Sequence, residues 1–206
     1  MTDAPAGARS ERPARGQLRP ALIAESFALL AEAGMAGFSV AELARRLGVS
    51  TAAPYRHFPT RDALLAVVAA QAADELTRTM ESAAHAAGTD PLDRLAAIAG
   101  AYVRHVRDRG AGLDVIFARE LRPLRDADLA RAGRDLMTLL LDLAREAGHA
   151  DPSDALLVLE QLFVLAHGYV TLDAEDFLTG ARHTGEDIAT RATRAATALL
   201  RGSVAP

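Results

Sequence analysis

The chain has 206 residues, enough for one medium domain or a small head on a larger body, and half of them are hydrophobic, so a sizeable core can be buried. It has no cysteine, which excludes disulfides, thiolate metal sites and cysteine nucleophiles and fits a reducing compartment. The net charge of −4 argues against a wholly basic nucleic-acid binder, yet residues 1–61 carry eight Arg against five acids while the remainder carries 15 Arg against 22 acids, so a basic head sits on an acidic body.

The N-terminus, "MTDAPAGARSERPARGQLRP", lacks an apolar core and reads as a flexible arm over residues 1–17, not a secretory signal. No apolar run approaches the ~18–20 residues of a membrane span, so a cytoplasmic protein without a membrane partner is expected. Strand-like alternation is nowhere sustained, and apolar residues recur at spacings of three and four throughout, which predicts an all-α fold. The first helix carries Leu22, Ile23, Phe27 and Leu30 on one stripe and stops at Gly34. Ser39 with Glu42 reads as a capping box for a second helix, closed by Gly48. Ser50 caps a third over about 51–57. Thr60 opens a long helix through Leu64, Leu65, Val68, Ala72 and Leu76 to about Ala86. Thr89 or Asp90, followed by Pro91, starts the next, which runs to about Asp108. A broken region follows, with one short helix around Asp114–Glu120. Three further helices complete the chain: one ending at Gly148, a very apolar one containing Leu156–Leu172, and a last one near the C-terminus. That makes about nine helices, with a three-helix head at 18–62 and a helical-bundle body at 63–206.

Two short helices joined by Gly48-Val49-Ser50 form a helix-turn-helix, whose second helix would lie in a DNA major groove. Pro54 is tolerable there because it falls near the start of the helix, where N–H groups lack intrahelical partners. The small side chains of "TAAP" let the backbone approach closely. Ser50, Thr51, Ala52 and Arg56 are the expected base readers, and Tyr55, His57 and Arg61 the phosphate contacts; Ser39, Arg46 and Ala53 complete the DNA-facing set. Tyr55 could instead be partly packed in the core, and His57 could be only a helix-terminal charge. Arg9, Arg12, Arg15 and Arg19 are either a solvated tail or further DNA contacts. The six histidines show no metal-ligand spacing, and there is no nucleophile elbow or phosphate loop, so neither catalysis, a metal nor a cofactor is expected.

"AELARRLGVSTAAPYRHFPTRDALL" resembles the helix-turn-helix signature of the tetracycline-repressor (TetR) family, over about Leu18–Ala69. Pro54 and Arg61 stand where most members carry Leu or Ile and Lys. "LAHGYVTLDAEDF" is similar to the His-Gly ("WHG") C-terminal helix of one branch, without its tryptophan. The resemblance implies a homodimer on a double-stranded DNA operator, with repression relieved by a small-molecule effector. Physics agrees on the dimer, since one short recognition helix reads few base pairs and a two-fold pair reads half-sites about one turn, ~34 Å, apart. The helix over Leu156–Leu172 is apolar all round, so it and the last helix are the expected dimer face, through Leu162, Leu165, Tyr169 and Val170. By resemblance the effector pocket lies inside the body. The expected lining is Tyr102, His105, Val106, Phe117, Met137, Leu140, Phe163 and His167, suited to a mostly apolar molecule. His167 could equally be a hydrogen-bonded core or interface residue. The broken region, with Gly110, Gly112 and Pro123, is the expected moving part. The other reading of the chain is a helical-bundle ligand-binding protein or enzyme with a vestigial DNA-binding head.

Overall fold

The computed structural model describes residues 14, 16–111, 113–178 and 186–203. Among them are eight α-helices, two 3₁₀ segments and no strand. The helices are α1 (Leu18–Gly37), α2 (Val40–Arg46), α3 (Arg61–Ala86), α4 (Pro91–Arg109), α5 (Leu113–Ile116), α6 (Ala127–Glu146), α7 (Pro152–Ala174) and α8 (Ile188–Ser203). The 3₁₀ segments are Pro54–Arg56 and Arg119–Leu124. The ninth expected helix, over 51–57, is therefore not α-helical.

Pro54 supplies the reason. It has no N–H to donate to the Ser50 carbonyl four residues back, and its ring would crowd that carbonyl. Ala53 N–H donates to Ser50 O instead at 2.9 Å, and His57 N–H to Pro54 O at 2.9 Å. These are the three-residue closures of a 3₁₀ turn. Pro54 and Phe58 are buried, so the turn is held from below by the core of the head.

Three of the cap signals are local and appear as written, whereas Ser50, expected to cap a third helix, makes no side-chain cap bond among the described residues, because the 3₁₀ turn after it starts at Pro54. Thr60 Oγ1 accepts from Ala63 N–H at 3.0 Å, and Asp90 Oδ1 accepts from Leu92 N–H at 2.8 Å with Pro91 at the first helical position. Ser39 Oγ accepts weakly from Glu42 N–H at 3.4 Å. Gly34 breaks α1 with φ +61°, leaving one more turn to Gly37. Serine at such a cap contributes about 1 kcal/mol relative to Ala.

The head packs Leu22, Phe27, Leu43, Leu47 and Phe58 into one core with the start of α3. α3 then continues unbroken into the body, burying Leu64, Leu65, Val68, Leu76 and Met80 along one side. α4 lies at the centre of the body and packs against α3, α6, α7 and α8. Gly100 is where α4 and α8 cross. A Cβ there would lie 2.6 Å from Ala189 O, so only glycine lets the backbones approach this closely. Gly110 ends α4 in the left-handed region with φ +64°, and a Cβ there would lie 2.5 Å from Ala31 N on α1. The far end of α4 is thus wedged against the head.

Among the described residues one helix, α7, is long and apolar enough to cross a membrane by length and composition, with mean hydropathy 1.6 over its best window. Glu160, Gln161 and His167 interrupt it, so no continuous apolar run marks it in the sequence. It packs against α4, α6 and α8.

Candidate nucleic-acid interface and ligand clefts

The ten DNA-facing residues fall into two groups. Ser50, Thr51, Ala52, Tyr55, Arg56 and His57 are exposed on one edge of the head, with Ala53 half-buried beside them. The hydroxyls of Ser50 and Thr51, the Tyr55 phenol, the Arg56 guanidinium and the His57 imidazole make no hydrogen bond or ion pair among the described residues. Tyr55 is 51% exposed, which sets aside core packing as its main task. Arg19 lies over the Phe58 ring at 5.2 Å from its centroid, beside this edge. Arg9, Arg12 and Arg15 lie outside the described residues.

The other three are engaged within the head. The Arg46 guanidinium meets three carboxylates, Glu25 at 3.2 Å, Glu32 at 2.6 Å and Glu42 at 2.9 Å, and so ties α2 to α1. Arg45 and Arg46 together hold the Glu42 carboxyl down at about 2. Arg61 donates to Met35 O at 2.9 Å and stacks on Phe38, closing the frayed end of α1. Ser39 caps α2. The sequence shows which residues are cationic, but not which carboxylates or carbonyls the fold brings to them.

The eight pocket residues do not share one cavity. Tyr102, Phe163 and His167 line a cleft of about 750 Å³ between α4, α5 and α7, together with Val164 and Leu172. Tyr102 OH and His167 Nδ1 are 3.1 Å apart, and Phe163 meets the Tyr102 ring edge-on at 5.6 Å. Burial pushes the Tyr102 phenol up to about 12. Phe117 and Met137 line a second cleft, of about 460 Å³, between the Arg119–Leu124 segment and α6. Leu140 is core and Val106 packs against the core, and neither lines either of these clefts.

His105 belongs to a third place, the joint between head and body. It is 4% exposed, its Nε2 has no partner, and burial pushes its pKa down. Beside it Arg109 pairs with Glu75 of α3, Nε to Oε2 at 2.6 Å, and lies over the Phe27 ring of α1 at 4.8 Å. Burial raises the Glu75 carboxyl, but the hydrogen bonds from Arg109 and Gln71 pull it below its ordinary value.

Residues 22–68 match the model of bacterial regulatory proteins of the tetR family, and residues 95–199 match that of the tetracyclin repressor-like C-terminal domain. The chain belongs to the tetracycline-repressor family. It is a transcriptional regulator with a DNA-binding head, as the helix-turn-helix implies. A Rhodococcus sp. RHA1 protein of unknown function is similar in fold, with 33% identity and a TM-score of 0.69 over 91% of this chain and 95% of that one. The TetR-family regulator PfmR of Thermus thermophilus has 20% identity and a TM-score of 0.63, over 90% of this chain and 99% of its own. FadR of Bacillus subtilis, solved in complex with stearoyl-CoA, has 15% identity and a TM-score of 0.65 over 90% and 99%. These last two show the shared fold alone. No curated protein matches the chain.

α7 of this family member has two apolar faces. Ala155, Val158, Leu159, Leu162 and Ala166 are buried in the body. Leu156, Leu157, Val164 and Leu172 are exposed, Val164 by 68%. Of the four residues expected at a dimer face, Leu162 lies in the protomer's own core, while Leu165, Tyr169 and Val170 are half-buried. Arg191 of α8 covers the Tyr169 ring. Val164 and Leu172, within two positions of these, are exposed instead, as are Leu156 and Leu157 nearer the start of the helix. Apolar residues on both faces make the helix look uniformly apolar in the sequence, and composition alone cannot assign each residue to a face.

Proposed function

We propose that this regulator acts as a homodimeric repressor on a palindromic operator and is released by a small effector. The observation that carries the reading is the row of donors from Ser50 to His57, unpartnered among the described residues, on a turn anchored by buried Pro54 and Phe58. Free donors on a rigid edge suit groove and phosphate contacts, because nothing in the fold has to be broken to use them. One such edge spans few base pairs, so two copies are needed for useful specificity. The exposed Leu157 and Val164 face of α7 supplies the surface for pairing them, in keeping with the apolar core of stable homodimer interfaces.

The effector is assigned to the Phe117–Met137 cleft. Its floor is apolar, and the segment above it packs on α3, the one helix that runs into the head. An effector shifts the protein between two arrangements only if it binds one of them better. Filling this cleft moves a segment that bears on α3, and α3 positions both recognition turns. FadR, of the same fold, was solved in complex with stearoyl-CoA, so a body of this size can accommodate a large ligand with a long apolar tail.

The direct test is fluorescence anisotropy with DNA from upstream of the chain's own gene, with and without candidate effectors. Saturable binding to that DNA, well above random DNA and reversed by one effector, supports the reading. Equal weak affinity for all DNA would leave a ligand-binding bundle with a vestigial head.

A further inference from the structure

About half of the arginines described in the body of this protein are held in ion pairs. Arg94, Arg107, Arg109, Arg131 and Arg145 each face a carboxylate. The cleft between the Arg119–Leu124 segment and α6 is different. Arg122, Arg125 and Arg134 all line it, and none has an ion pair or side-chain hydrogen bond among the described residues. The one acidic side chain in the lining, Asp126, is occupied, since its Oδ1 accepts from Leu129 N–H at 2.9 Å. Beneath this rim the wall is apolar: Ile116 and Leu121 are 3% and 2% exposed, and Leu129 and Met137 are half-buried. Phe117, 40% exposed, stands at the mouth with its ring open to solvent.

We propose that this cleft takes an anionic amphiphile, a carboxylate on an unbranched apolar tail, with the carboxylate held by Arg122, Arg125 and Arg134 and the tail along Leu129, Met137 and Phe117. The inference rests on the assignment of the effector to this cleft and adds its chemical class. Three guanidiniums with only Asp126 of opposite sign in the lining leave this cleft net positive, and a ligand carboxylate would balance that charge while accepting paired N–H bonds. An exposed phenyl ring over an apolar floor gains when a chain displaces its water. A neutral ligand would satisfy only the floor, and a cationic one would add a fourth like charge to the rim. Arg125 sits at φ +47°, so its side chain is carried into the lining by backbone that most residues avoid.

The test uses three probes with the same ten-carbon tail: decanoate, decanol and decyltrimethylammonium. Their binding to the full chain is measured by competition against a fluorescent fatty acid, and operator affinity is read in parallel. Decanoate is expected to bind at least tenfold more tightly than decanol, with the gap narrowing at high salt. The ammonium probe should bind least. In the doubly substituted Arg122→Gln, Arg134→Gln chain the decanoate advantage should vanish while decanol binding stays. Both positions are exposed, so the fold should persist. Gly133→Leu should weaken decanoate and decanol alike, because the Gly133 Cβ position faces the Phe117 ring at 4.0 Å with room for a side chain.

Equal binding of decanoate and decanol, or a decanoate advantage that survives loss of both arginines, overturns the proposal. If decanoate binds as described but operator affinity is unchanged, the anion site stands and the effector assignment falls. If another molecule releases the operator through this cleft while decanoate is ignored, the assignment stands and the anionic class falls.

Discussion

Arg46 and Arg56 are ten residues apart, equally cationic, and put to opposite uses. Arg46 is enclosed by Glu25, Glu32 and Glu42, whereas Arg56 is exposed with no partner among the described residues. Arg56→Ala should therefore relax base preference at one position of each half-site by ~1–3 kcal/mol, the worth of a two-donor contact to guanine. Competition binding with single-base operator variants measures this; an unchanged preference profile would make Arg56 a phosphate contact. Tyr55→Phe should weaken operator and random DNA alike by about 1 kcal/mol, because a phosphate hydrogen bond carries no sequence information. His105 makes a pH prediction. Its folded pKa lies below the ordinary 6.5 because burial disfavours the charged form, with Arg109 acting in the same direction and Glu75 and Asp108 against it. The unfolded chain thus binds more protons in this window, so the contribution is whole above pH 6.5 and is lost as pH falls below it. His105→Leu should flatten the fall in Tm on acidification just below that pH. An identical pH slope in both proteins would show that His105 does not titrate on unfolding.

At the scale of the element, caps and breaks were the most legible features, because each is decided by residues within four positions. Thr60, Asp90 with Pro91, and Gly34 each do in the fold what their neighbours in the sequence imply. The recognition element was legible as a position but not as a shape. In the sequence Pro54 reads as tolerable near a helix start, yet its consequence, a 3₁₀ turn in place of an α-helix, depends on how the Ser50 carbonyl finds another donor. α7 was legible as an unusually apolar helix, but its inner and outer faces were not, since both are hydrophobic. The structure puts Val164 at the centre of the outer face. Val164→Glu should give a well-folded monomer with little change in Tm for the isolated protomer, because the side chain leaves the body's own core untouched. Leu162→Glu, by contrast, should unfold the body, as an unpaired charge placed in the core costs several kcal/mol. Sedimentation velocity and circular dichroism separate the two outcomes. A Val164→Glu chain that remains a dimer would move the interface off this face.

Across the whole molecule, head and body meet at two places, the unbroken α3 and the end of α4. The first was readable from the Thr60–Ala86 periodicity. The second was not, because the contact of Gly110 with Ala31 joins residues 79 positions apart, and the grouping of Arg109, Glu75 and Phe27 spans three helices. The same limit explains why the eight expected pocket residues do not share one cleft: helical spacing tells which residues face inward, not which inward faces enclose the same space. Gly110 offers a test of the joint. Both Gly110 and Gly148 have positive φ, so the backbone alone makes Ala at either cost about 1–2 kcal/mol of stability, with the displacement of α1 added at Gly110. Only at Gly110 would the new Cβ also press on α1, since Gly148 has nothing near it. Gly110→Ala should consequently change operator affinity as well as Tm, while Gly148→Ala should change Tm alone; equal effects on DNA binding would show that this contact does not set the head. The central claim, that two copies of this chain present their Ser50–His57 edges to one DNA site, is tested most directly by selecting bound sequences from random DNA and measuring the mass of the resulting complex. The account predicts an enriched inverted repeat with half-sites about one helical turn, ~34 Å, apart or a multiple of it, and an even number of chains per duplex. Enrichment of a single unrepeated site bound by one chain, or no enrichment at all, would contradict it.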